Sequence, residues 1–171
     1  SMSGENLVIR WEVDEISKLS DEPRFSRYYH QSEIPWRLSV RTKASEQTKN
    51  VKHLSLHLRC NEESDSELWS CDHSSTLTLL HPTQPNKSLR LKGMKPFNKA
   101  DHSFGETIID FASLDFKGFV KDDKITVEAR TAVTAVHCVR PKPKIDFTKP
   151  TPGADNVALK LDDGIVHVCR R

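Results

Sequence analysis

Period-two alternation of apolar and polar residues constrains this chain more than any other feature. In residues 53–60, HLSLHLRC, Leu54, Leu56, Leu58 and Cys60 fall on one side, and His53, Ser55, His57 and Arg59 on the other. Successive side chains of a strand point to opposite faces, so this is a half-buried strand with two histidines on its wet side. The pattern recurs in residues 7–13 (LVIRWEV) and 36–40 (WRLSV), and in 125–133, where Ile125, Val127, Ala129, Thr131 and Val133 share a face. Further strands are expected within residues 67–82, 87–94 and 105–111, and the stretch GFVKDDK supplies a turn before the last strand. Only DFASLDFKG suggests a short helical turn. Seven or eight strands at this spacing predict an all-β fold, an antiparallel β-sandwich.

Length and charge narrow the function classes. A chain of 171 residues accommodates one domain with a tail, and 36% apolar with 29% charged residues suits a soluble globular protein. Basic and acidic residues are mixed to a formal charge of +2, which advertises no nucleic-acid surface. No apolar run is long enough for a membrane span, and no signal pattern opens the chain, so the expectation is a soluble, intracellular protein of cytoplasm or nucleus. Ser1-Met2 reads as the scar of a cleaved tag. The four cysteines, at 60, 71, 138 and 169, show no close pair and are expected to be reduced thiols.

At residue 140 the texture changes. RPKPKIDFTKPTPG places Pro141, Pro143, Pro150 and Pro152 in a basic stretch that can neither propagate a helix nor sit in a central strand. Beyond it, DNVALKLDDGIVHV reads as a hairpin turning at Asp163-Gly164, and a lone hairpin is marginal in water. The expected organisation is an N-terminal extension over 1–6, a β-domain over 7–138, a Pro/Lys-rich linker over 139–154 and a hairpin over 155–171.

Candidate chemistry is sparse. Cys60, Cys71 and His73 are the best grouping for zinc, but they lack the short spacing that aims two ligands at one ion, and alternation sends Cys60 into the core. A Cys-His nucleophile, at His137-Cys138 or Cys71-x-His73, fares no better: adjacent His137 and Cys138 point to opposite faces of a strand, and the sequence shows no orienting third group or oxyanion-hole glycine turn. No phosphate loop, dinucleotide fingerprint or zinc-protease motif is present, and no catalytic residue, cofactor or metal is expected. The run NEESDSE reads as a solvated acidic loop, and RPKPK as a basic linker. What remains is binding by a sheet face or edge, in which an extended peptide joins as an added strand.

Trp11-Glu12-Val13, IPWRLSV, HLSLHLRCNEESDSELWS, TLTLL, SFG and GFVKDDKITVEA, in this order, resemble a MATH domain, the TRAF-like sandwich. The C-terminal hairpin is similar to the opening of a BTB domain, so the resemblance extends to MATH-BTB adaptors, in particular their speckle-type POZ branch. It implies a non-catalytic, substrate-recruiting module that binds extended peptide segments of target proteins for ubiquitination. It also implies cullin-3 binding and self-dimerisation through the BTB domain, and no nucleic-acid or membrane partner. The MATH domain of a ubiquitin-specific protease and a TRAF-like oligomeric scaffold are the alternatives.

The same resemblance carries a peptide groove onto His57, Ser75, Met94, Asp101, His102 and Phe104. The family's aromatic residues are retained here only at Phe104, and its acidic residue at Asp101. Replacing Tyr by His and Phe by Ser removes apolar area at roughly 25 cal/mol per Å², so a more polar groove is expected. Through His57 and His102 it is expected to respond to pH between about 5 and 8. The plainer reading of His57 is a solvated strand residue, since one side of such a strand faces water.

Overall fold

A computed structural model describes residues 5–139. The expected linker from residue 140 and hairpin over 155–171 lie outside the described residues. Within them the expected sandwich is present as two antiparallel sheets of five strands each.

The first sheet has the order β1 (Glu5–Val13), β10 (Ile125–His137), β6 (Ser70–Leu80), β7 (Leu89–Gly93), with β8 (Phe97–Asn98) also on β6. The second has the order β2 (Arg24–Phe25), β4 (Ile34–Lys43), β5 (His53–Cys60), β9 (Ser103–Asp110), with β3 (Tyr29–Gln31) also on β4. Seven of these ten strands are the long alternating segments. The other three, β2, β3 and β8, span two or three residues each and have no room for a period to show. The expected helical turn is α1 (Ser113–Phe116).

Alternation becomes burial where the sheets face each other. Leu54, Leu56, Leu58 and Cys60 of β5 meet Leu77 and Leu79 of β6 and Ile9 of β1 in one cluster. Trp36 and Phe97 join the sheets edge to face, with ring centroids 5.8 Å apart. Each fully buried side chain of this size contributes about 1.5–3 kcal/mol, which makes register expensive to change. One register shift, between Val133 and Ala135 of β10, ends the regular inward row of that strand.

Turn chemistry closes the last hairpin. Asp122 and Asp123 both take positive φ, 54° and 57°, as a two-residue turn matched to strand twist requires. The Asp123 carboxylate accepts hydrogen bonds from the Ser17 backbone N–H at 2.9 Å and its hydroxyl at 2.7 Å. These bonds hold the Asp123 carboxyl below its ordinary range and tie the turn to the segment after β1.

Cys60 and Cys71 are free and buried, one from each sheet. Burial and the neighbouring Cys71 thiol push the Cys60 thiol up, so it behaves as a small apolar residue.

Candidate functional site

Strand β9 ends its sheet. It pairs with β5 on one side and has no strand on the other among the described residues. Strand β7 likewise ends the facing sheet. Between these two edges opens a groove of about 310 Å³, lined by Met94, Lys95, Phe97, Asp101, Phe104 and, at its floor, His73.

Each lining residue is held by a local device. Asn98 Oδ1 accepts the backbone N–H groups of Ala100 at 3.0 Å and Asp101 at 2.9 Å, an Asx turn that brings Asp101 to the lip. There the Asp101 carboxylate pairs with Lys95 Nζ at 2.9 Å. Phe104 leans inward from β9, in register with Leu58, and its ring covers Gly93 so closely that a Cβ there would lie 2.4 Å from Cε2. Met94, next in the chain, is 71% exposed and forms an apolar flank.

The floor is a hydrogen-bonded chain. His73 stacks on Phe97 with centroids 4.0 Å apart. Its Nε2–H donates to the Lys95 carbonyl at 2.8 Å, since a carbonyl can only accept, and its Nδ1 therefore accepts from the Ser75 hydroxyl at 2.7 Å. The Ser75 oxygen in turn accepts from the Thr131 hydroxyl at 2.9 Å. Burial lowers the His73 pKa, consistent with a neutral ring in which every polar atom is satisfied.

Of the six residues expected at a peptide groove, Met94, Asp101 and Phe104 come together here. Ser75 lies beneath them at 2% exposure, paired in register with Gly93, and reaches the groove only through His73. His102 contributes its carbonyl to Cys60 N–H at 2.9 Å, while its Nδ1 is buried without a partner. His57 stands on the opposite, outer face of the β5–β9 pair, beside Gly105.

His57 also differs from expectation in its chemistry. Burial, reinforced by the positive charges of Arg59, Arg41 and Lys43, lowers its pKa to about 4. It stays neutral over the window of about pH 5 to 8 and supplies no switch there.

Sequence reasoning missed His73, Lys95 and Gly105. His73 was visible as a neighbour of Cys71 on one strand face, but only metal-ligand and Cys-His nucleophile roles were weighed for it. Among the described residues no group of three His, Cys, Asp or Glu side chains is placed to hold a metal ion. No helix among them is long and apolar enough to cross a membrane.

Comparison with known proteins agrees with this architecture. The family pattern described as "MATH domain" matches residues 13–133. The chain is similar to BTB and MATH domain-containing protein 38 of Caenorhabditis elegans, 28% identical over 141 residues, covering 82% of this chain and 36% of the relative. It is also similar to BTB and MATH domain-containing protein 36 of the same organism, 28% identical over 174 residues, covering 94% of this chain and 51% of the relative. The chain thus spans between about a third and a half of the length of these relatives. With two antiparallel sheets in place and a family match over most of its length, the chain belongs to the MATH domain family.

Proposed function

We propose that this MATH domain captures extended segments of other proteins by adding them as a strand to the free edge of β9. The observation that supports this most is the β9 edge, which has no strand partner among the described residues and lies directly beside the groove between β7 and β9. A strand added there would form backbone bonds to β9, and alternate side chains would enter the groove against Met94 and Phe104. The other side chains would lie over the outer face near His57.

In the finer reading, the parent protein works inside the cell as a substrate adaptor of a cullin-3 ubiquitin ligase, akin to the speckle-type POZ branch. Its mechanism is proximity rather than bond chemistry. The names of the two worm relatives, which join MATH with BTB, support this reading. A BTB dimer would add avidity by presenting two grooves together.

A peptide-array screen with the purified chain, repeated with Phe104→Ala and His57→Ala, tests the proposal. A short motif weakened by both changes is expected. Binding that ignores both residues, or no binding at all, would remove the site.

A further inference from the structure

The outer face of the β2–β4–β5–β9 sheet carries cations in excess. Strand register lays three rows across it: Arg37–Arg59–Ser103, Phe25–Ser39–His57–Gly105 and Arg41–Ser55–Thr107. Lys43 follows beside His53 and Asp110. Glu62 is the one carboxylate paired with these cations among the described residues, and it serves two of them, Arg37 and, at 3.3 Å, Arg59. The Asp110 carboxylate is directed instead to the Ala112 N–H at 2.9 Å.

Arg41 and Lys43 have no ion pair or hydrogen bond from their side chains among the described residues. Their field reaches the centre of the face, where with Arg59 they reinforce the depression of the His57 pKa. Between these cations and the free edge of β9 stand Ser103, Gly105 and Thr107, whose side chains are short or absent. An added strand would run about 4.8 Å from β9, and half of its side chains would project over this row.

We propose that the segment captured at β9 carries an anionic side chain, a carboxylate or a phosphate, directed over Gly105 toward Arg41 and Arg59. This rests on the β9-edge reading and names the class of segment that edge takes. Guanidinium groups suit either anion, because their planar fork matches two oxygens at once.

The test uses the 171-residue chain and an array of short synthetic peptides, each made with Glu, phosphoserine, Gln or Lys at every position in turn. At one position, Glu or phosphoserine is expected to bind roughly five- to tenfold tighter than Gln, with Lys weakest, and the preference should fade as salt is raised. A phosphoserine advantage over Glu would identify phosphate as the source, and parity would identify a carboxylate as sufficient. Arg41→Gln combined with Lys43→Gln should abolish the preference, while Arg41→Lys should keep it. Equal binding of Glu, phosphoserine and Gln peptides, or a preference untouched by the double change, overturns the proposal. If Phe104→Ala weakens all peptides while no charge preference exists, the groove stands and the anion site falls. If the preference follows Arg41 but Phe104→Ala changes nothing, the anion site stands and the groove falls. Failure of every peptide to bind overturns both.

Discussion

On the outer face of the first sheet, Glu128 of central strand β10 sits between Arg10 at 3.0 Å and Arg130 at 2.7 Å, its side chain only 8% exposed. Lys124 finds Glu12 on the same sheet at 3.1 Å. On the outer face of the second sheet, the corresponding carboxylate, Glu62, comes from the loop after β5 and lies at one end of the face. A carboxylate within the central strand neutralises its neighbours on both sides. One supplied from a loop reaches only the cations at its own end and leaves Arg41 and Lys43 without an ion pair among the described residues. Around Glu128 the first face is electrostatically closed, although Arg90 and Lys92 on its β7 rim have no ion pair among the described residues, whereas the second is open around Arg41 and Lys43, and the open face adjoins the free edge of β9.

The largest effect is expected from removing the strand that gives the open face its edge. A Cβ at Gly105, where φ is 152°, would lie 1.9 Å from the Leu56 carbonyl, and that backbone cannot yield without breaking the β5–β9 ladder. Gly105→Ala should therefore cost more than about 3 kcal/mol in urea unfolding, in the range reserved for disrupted backbone geometry. A cost below about 1 kcal/mol would show that the β5–β9 register is wrong.

The positive field of the open face should appear next as a pH dependence of stability. His57 has a folded pKa of about 4 against an ordinary 6.5, so between these values the unfolded chain takes up a proton that the folded chain refuses. Stability is complete above the ordinary value and falls as pH drops toward the folded one. The ring is partly exposed, so a loss of about 1–2 kcal/mol is expected. Buried His73 acts in the same direction. His57→Asn should reduce the slope of unfolding free energy against pH, and an unchanged slope would assign it to His73.

Paired substitutions then sharpen the contrast between the faces. Glu128→Gln and Glu62→Gln should each cost about 1–2 kcal/mol by leaving two guanidinium groups facing one another across a partly buried site. Only Glu62→Gln should also strengthen capture of anionic peptides, measured by fluorescence anisotropy, because it adds to the excess on the open face. Equal effects of both changes on binding would erase the distinction.

The smallest effect concerns the groove. Gly93→Ala pushes against the Phe104 ring, a side chain that can rotate away, so a stability change of about 1 kcal/mol or less is expected. Peptide affinity should change several-fold because the apolar wall has moved. Unaltered affinity would argue that the Phe104 ring does not touch the bound segment.

Much of the sandwich was legible in the sequence because alternation is a local property. The inward rows Leu54–Leu56–Leu58–Cys60 and Ile125–Val127–Ala129–Thr131–Val133 are buried as their spacing predicts. Strands β2, β3 and β8 escaped because two or three residues carry no period. Half of the candidate groove was legible too, through the family resemblance at Met94, Asp101 and Phe104. Position alone cannot tell that Ser75 would be enclosed beneath Gly93, or that His73 would surface in its place as the groove floor.

By itself, then, the sequence determined the long strands, the side each residue takes within them, and the kinship to MATH domains. Tertiary structure alone decided which strands lie side by side, and with that every property arising between them. The bond from Ser75 to Thr131 joins residues 56 apart in the chain. The depressed pKa of His57 comes from burial and from charges on β4 as well as its own strand. Backbone periodicity is set within one segment, whereas burial, field and free edges depend on partners brought together by folding, and no short-range pattern records them.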